Sequence, residues 1–322
     1  MTIKHTLTAL AMALAATPLA AQEEAAPPAE VSEDMRVTLL GTGTPTLNLM
    51  RFGAANLVQA GGLNLLFDAG RGASIRLQQL GETPGTMDAV FLTHLHSDHV
   101  NGLADIYTTG YIVGATLKGR TEPFELYGPT GTQELMDGIK SAHRWDAETR
   151  IIDEGVPEAA PEANVHEAEE GVIFDENGVQ VTMFPVNHGE NITSSVGYRV
   201  DYNGHSVVFS GDTTYDENIV TASEGVDLLV HENGMATAEL MEREAIQKIM
   251  AHHTDPVDVG RIFAAAAPQM AVYNHMVLLG GAPISEVITK TRETYDGPLV
   301  IGEDMMQFVI SDGGLSMLSA GQ

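Results

Sequence analysis

Residues 93–99 read THLHSDH, placing three of the chain's 12 histidines and an aspartate within seven residues of 322. An apolar run, DAVFLT, leads directly into this stretch and reads as a buried strand. In an extended segment leaving a strand, residues two apart point the same way, so His94 and His96 can face one cation. If the chain then turns into a helix, Asp98 and His99 swing to the opposite side and can hold a second. Two cations ~3.5–4 Å apart can activate water and clamp the attacking and leaving oxygens of a hydrolysis. A chain built this way must fold so that other strands deliver more ligands to the same strand end.

Three other segments do end in such residues. FPVNH places His188 after an apolar strand, VVFSGDT places Asp212 in a glycine turn, and MAVYNH places His275 after a third strand. A lone strand-end histidine is more often capped or solvated than a ligand, but three such positions combined with the cluster point to a metal centre. Cysteine is absent, so histidine and carboxylates must supply every ligand. Asp68 in LLFDAG reads either as support for the histidine cluster or as a turn cap. His143, His166 and His205 fall in a helix, an acidic loop and a hairpin turn, and read as solvated.

Strand runs alternate with helical runs along the chain, which predicts a layered α/β domain over residues 36–322. Gly61–Gly62 between NLVQA and LNLLFDAG marks a hairpin. SIRLQQLG, NGLADIYTTGYIVG, TQELMDGIKSAHRW and PVDVGRIFAAAA read as helices, residues 154–171 as an acidic surface loop, and LVIGEDMMQFVISDGGLSM as a final pair of strands. Aromatics are 6%, so aliphatic residues and Met are expected to supply most of the core. Residues 1–21 carry Lys4, a short apolar run and small residues near Ala21, the pattern of a secretory signal, which predicts a periplasmic or secreted protein. Residues 22–35, acidic and Pro/Ala-rich, read as a disordered linker. No segment approaches the ~20 apolar residues of a membrane span. Removing Lys4, the one charge in the first 21 residues, takes the formal charge from −28 to −29. Such a surface repels phosphate backbones and argues against a nucleic-acid partner.

FLTHLHSDHVNGL, FSGDT and the strand-end histidines together resemble the metallo-β-lactamase fold in its dinuclear hydrolase form, a four-layer αββα sandwich. LLGTGTPT, LLFDAG, ELYGPTGTQEL, LLVHE and HTDP narrow the resemblance to tRNase Z and its secreted, arylsulfatase-type relatives, from about residue 36 to the C-terminus. The resemblance implies two Zn2+ ions, with Mn or Fe as alternatives. It gives His94, His96 and His188 to the first, Asp98, His99 and His275 to the second, and Asp212 as the bridge. Asp98 would also manage the proton of the attacking water. Glu232 and His253 match a pair in which the histidine stabilises the attacked group or protonates the leaving oxygen and the glutamate orients it; the neighbouring His252 is read as a packing or solvated residue.

Two departures stand out: there is no basic Gly/Pro-rich arm of the kind tRNase Z uses to hold tRNA, and HEN replaces the usual HEA beside the catalytic glutamate. The expectation is therefore a secreted dinuclear-zinc hydrolase of a small sulfate or phosphate ester, with a small anionic substrate, no nucleic-acid or membrane partner, and a homodimer left open. The alternatives are a lactonase or β-lactamase attacking a carbonyl, the latter disfavoured by a bridging Asp212, and a non-catalytic periplasmic metal-binding protein. Residues 105–118, the loop 154–171 and HMVLLGGAP are expected to line the pocket.

Overall fold

Most strands of this chain are apolar on both faces, and that alone dictates layers on either side of each sheet. In Leu63–Phe67, Leu65 and Phe67 point into one core while Leu66 points into another. In His205–Phe209, Val207 and Phe209 share the first core and Val208 joins a third. The computed structural model describes residues 32–114 and 117–318; the proposed leader and most of the linker lie outside the described residues.

The first sheet is built from β1 (Met35–Gly41), β2 (Ala55–Ala60), β3 (Leu63–Phe67), β4 (Ala89–Phe91), β5 (Phe124–Gly128) and β6 (Ala163–Glu167). The second follows with β7 (Gly171–Glu176), β8 (Val179–Pro185), β9 (Val196–Tyr202), β10 (His205–Phe209), β11 (Leu228–Ala236), β12 (Met270–Leu279) and β13 (Leu299–Ile301). The chain then returns to the first sheet as β14 (Gln307–Ser311) and β15 (Gly314–Leu318). The spatial orders are β15-β14-β1-β2-β3-β4-β5-β6 and β13-β12-β11-β10-β9-β8-β7. Val37, Leu39, Phe91, Tyr198 and Val230 fill the space between the sheets. Helices at 73–80, 103–110 and 132–154 cover the outer face of the first sheet, and those at 217–222, 256–266 and 284–291 cover that of the second. This is the expected αββα order. Among the described residues, no helix is long and apolar enough to cross a membrane.

The predicted hairpin closes at Gly61–Gly62 with Ala60 opposite Leu63. Both glycines have positive φ, 61° and 78°, the conformation a two-residue hairpin turn demands. Three expectations are corrected. Residues 154–171 are not simply a loop: 163–167 form β6, which pairs in parallel with β5 at the sheet edge, far along the sheet from β1. His166 lies on that strand, exposed, stacked on Tyr127 and bonded to Glu125 at 2.9 Å. His205 is buried at the start of β10 rather than solvated, because β9 and β10 turn back over it. The C-terminal run holds three strands, split between the two sheets. The core is mostly aliphatic and Met, as expected, and its few aromatics are concentrated: Phe67 stacks on Phe91 (4.8 Å) and Phe209 (5.0 Å), with Tyr198 edge-on, beneath the strand ends that carry the histidines.

Candidate active site

β4 ends at Phe91, and Leu92–Thr93 carry the chain out of the sheet before it turns into a short helix, Ser97–Val100, capped by an extended His96. The turn does what the spacing predicts. His94 and His96 face one side, with His94 Nε2 and His96 Nδ1 3.0 Å apart. Asp98 and His99 face the other, with Asp98 Oδ2 and His99 Nε2 3.8 Å apart. His188, just past β8, brings Nε2 within 3.2 Å of His96 Nδ1. His275, on β12, places Nε2 2.9 Å from Asp98 Oδ2.

Asp212 lies between these two sets. Its Oδ2 is 3.8 Å from both His94 Nε2 and His188 Nε2, while Oδ1 is 3.5 Å from His99 Nε2 and 3.2 Å from His275 Nδ1. One carboxylate thus turns one oxygen to each set. The donor atoms of His94, His96, His188 and Asp212 lie within 4.8 Å of one another, as do those of Asp98, His99 and His275. Ligands bonded at ~2.0–2.1 Å in a tetrahedral shell sit about 3.3–3.4 Å apart, so this spacing fits cations. A further sign is that His99 Nε2, Asp212 Oδ1 and His275 Nδ1 are buried with no hydrogen-bond partner. Leaving such atoms unmade costs ~1–3 kcal/mol each, and a shared cation would satisfy all three.

The outward nitrogens are tied down. His99 Nδ1 donates to Asp68 Oδ2 (2.8 Å), His188 Nδ1 to the His252 carbonyl (2.8 Å), and His94 Nδ1 to Thr93 Oγ1 (3.0 Å). Thr93 donates in turn to Asp68 (2.9 Å). These bonds fix the tautomers and leave the inward Nε2 atoms free to ligate. Asp68 is therefore an anchor for the cluster, and its φ of 59° lets it reach. Thr93 and the His252 carbonyl were not picked out from the sequence. The threonine adjoins the histidine run, but a backbone carbonyl leaves no sequence mark.

His275 owes its position to a bulge. His231 pairs with Tyr273 and Asn233 with Met276, so β12 carries one more residue than β11 across this stretch. The extra residue lets His275 adopt φ 43° and turn toward Asp98 and Asp212. A non-glycine residue in that region costs of the order of 1–3 kcal/mol, comparable to the burial of a single core Phe or Leu. The same stretch aims Glu232 inward. Glu232 Oε2 accepts from His253 Nδ1 at 2.9 Å and Oε1 from the Thr254 amide at 2.8 Å. The His253 ring stands 5.4 Å from that of His188 and 5.9 Å from that of His275, beside both donor sets.

Burial pushes His94 well down and His188 down to about 4, against the pull of Asp212, so both are neutral and able to ligate at neutral pH. Burial also lowers His99 and His253, but carboxylates outweigh it in each case. Asp212 and Asp68 hold His99 well above its usual value, and Glu232 lifts His253 to about 9. Burial would raise Asp212, yet the surrounding His275, His99 and His94 bring it well below the usual carboxylate range.

A family model described as a β-lactamase superfamily domain matches residues 63–276, a span that contains every one of these side chains. The chain belongs to the β-lactamase superfamily. Within that superfamily it is similar to Ribonuclease Z of Mycobacterium sp. (strain KMS), 31% identical over 282 residues, covering 87% of this chain and 97% of the relative. It is also similar to Ribonuclease Z of Mycobacterium avium (strain 104), 32% identical over 277 residues, 84% of this chain and 96% of the relative. Among solved structures, human tRNase Z, short form, shares the fold with a TM-score of 0.63 at 22% identity, covering 86% of this chain and 98% of that one. The metallo-β-lactamase fold protein YhfI from Bacillus subtilis shares it at 0.65 and 18%, over 86% and 99%. The superfamily and the paired His/Asp sets make the chain a metal-dependent hydrolase of the metallo-β-lactamase fold.

Of the segments expected to line the pocket, HMVLLGGAP borders a cavity with Thr42–Arg51, and Asp105 borders a second beside Phe52 and Ile75. Residues 154–171 border none of the cavities found around the site.

Proposed function

We propose that the chain hydrolyses small phosphate esters, phosphodiesters foremost, using two divalent cations, taken here as zinc. In this reading His94, His96 and His188 hold one ion, Asp98, His99 and His275 hold the other, and Asp212 is shared. The observation that carries it is Asp212 presenting one oxygen to each set with the Glu232–His253 pair alongside. Two ions held this way would supply Lewis acidity and an activated water. Imidazoles and carboxylates suit zinc, and manganese or iron are the alternatives.

The protein's own groups account for the rest. Asp98, bonded to His275 at 2.9 Å and buried beside His99, is placed to receive the proton of the attacking water. His253, held protonated through neutral pH by Glu232, keeps its Nδ1 on the glutamate and offers Nε2 to the leaving oxygen. As the bond from phosphorus to that oxygen breaks, the oxygen takes the Nε2 proton and departs as a neutral alcohol. Protonated His253 also places positive charge where negative charge develops.

Phosphate is preferred to sulfate because the relatives bear the name Ribonuclease Z, whose bond is a phosphodiester, and because a diphosphatase from the PhnP family shares the fold with a TM-score of 0.59. Those relatives also support a second reading, cleavage of RNA, and so stand against the expectation of no nucleic-acid partner. The small-ester reading rests on the formal charge of −28 and on a leader-like start that points to export. Zinc-loaded protein assayed against matched nitrophenyl phosphodiester, phosphomonoester, sulfate and carboxylate esters, a lactone and a precursor tRNA tests it. Turnover greatest on the phosphodiester is expected. Turnover confined to the lactone or carboxylate ester would overturn it, and cleavage of the tRNA alone would install the second reading.

A further inference from the structure

His253 has two faces. One stands beside the paired metal-binding sets; the other forms part of the wall of a separate cavity of about 530 Å3. Its other walls come from the end of β11 (Gly234, Met235, Ala236), the short helices 238–241 and 244–250 (Ala238, Met241, Met250), and helix 284–291 (Glu286, Lys290). The volume is that of a site for a small organic molecule, and the lining sets an apolar wall of methionines and alanines against the polar side chains of Gln247, Asp255, Glu286 and Lys290.

Three features single this cavity out. Gly234 is closely matched to His253: a Cβ there would lie 2.6 Å from His253 Cβ and 3.6 Å from the Met250 methyl. Any side chain at 234 would push the imidazole away, so the glycine keeps the ring at the boundary between cavity and catalytic groups. The apolar wall is built from three methionines, which repack around ligands of varied shape. Lys290 lines the cavity together with Glu286 and Asp255, yet no carboxylate lies within ion-pairing distance of it among the described residues.

We propose that this cavity receives the leaving group of the substrate, an apolar alkyl or aryl alcohol, with the scissile oxygen at His253 and Lys290 favouring leaving groups that end in an anion. The inference rests on the ester-hydrolase reading above and names the half of the substrate that reading leaves open. The geometry orders the parts: phosphorus beside the His/Asp sets, the leaving oxygen at His253 Nε2, and the apolar body beyond it among Met235, Met241 and Met250. A methyl leaving group would leave the cavity unused, and an octyl group would occupy part of it and leave room for longer chains. Burying each added methylene is worth ~0.8 kcal/mol, so affinity climbs with chain length until the far wall is reached.

The test pairs binding with turnover. In calorimetry on metal-loaded protein, 1-octanol should bind with a stoichiometry of one, and Ala238→Trp, an exposed rim position, should weaken it at least ~10-fold by occupying the space. Met241→Ala, which enlarges the cavity, should shift the optimum toward longer alcohols. Turnover of methyl octyl phosphate, resolved by which alcohol is released, should show the octanol-to-methanol release ratio falling ~10-fold in Ala238→Trp. Lys290→Ala should raise KM for a leaving group ending in a carboxylate more than for octyl. Absence of octanol binding, or alcohol binding that neither Ala238→Trp nor Met241→Ala changes, overturns the pocket whatever the enzyme hydrolyses. Octanol binding without hydrolysis of any phosphate ester keeps the pocket and overturns the ester reading.

Discussion

The two halves of the site solve the same problem with different chemistry. The set of His94, His96 and His188 offers three imidazoles and borrows one oxygen of Asp212. The set of Asp98, His99 and His275 offers two imidazoles, its own carboxylate, and the other oxygen of Asp212, with Asp68 behind His99. The first is nitrogen-rich, and burial keeps His94 and His188 unprotonated. The second has an excess of negative charge, visible in a His99 held well above its usual value by Asp212 and Asp68 even though burial works against it. The difference in donor atoms predicts that the nitrogen-rich set would favour a softer cation and the oxygen-richer set would tolerate harder ones.

The sharpest way to break this comparison is Asp212→Ala. Both sets lose their common oxygen, so metal analysis should show both ions depleted and turnover lower than in any other variant below; depletion of a single ion would show that Asp212 belongs to one half. Next come His188→Ala and His275→Ala. Each should cost one ion, and replacing zinc with manganese should restore more activity to His188→Ala, whose intact half is oxygen-rich. Equal rescue of both variants would erase the proposed difference.

His253→Ala lies outside both sets and should retain two ions while turnover falls ~10²–10⁴, less for nitrophenolate than for alkyl leaving groups. Glu232 raises the His253 pKa to about 9, so the acid form is complete at neutral pH and lost as pH rises through that value. Wild-type turnover of an alkyl phosphodiester should therefore fall on an alkaline limb no higher than about pH 9, and His253→Ala should lack that limb. Asp68→Asn should weaken metal affinity ~10–100-fold, more in the half containing His99, which it touches directly, than in the half it reaches through Thr93. His252→Ala should change little, since the backbone carbonyl that accepts from His188 Nδ1 is kept and only an edge contact between the two rings, 5.8 Å apart, is lost.

Much of this site could be read from the chain because its ligands follow strands. A strand end has a fixed position at the edge of a sheet, so His94, His188, Asp212 and His275 could be gathered before any coordinates were known. The pairing of His253 with Glu232 required the resemblance to known hydrolases, as 21 residues separate them. What stayed hidden depended on tertiary context. The second edge strand, β6, lies in a run so acidic and proline-rich that local propensity argues for a loop, yet it pairs with β5 through backbone groups that composition does not reveal. His205 resembles any polar residue beside an Asn–Gly turn until β9 and β10 close over it. The role of the His252 carbonyl is likewise independent of its side chain.

The extra residue of β12 has an evolutionary reading. In a regular ladder, side chains between Tyr273 and Met276 would alternate strictly, and inserting or deleting one residue would exchange the inward and outward members. A single-codon deletion there would leave both sheets paired and the core between them intact, while carrying His275 away from Asp98 and Asp212. A lineage with this architecture is thus one small indel from trading a paired centre for a solitary one, without first having to invent a new fold.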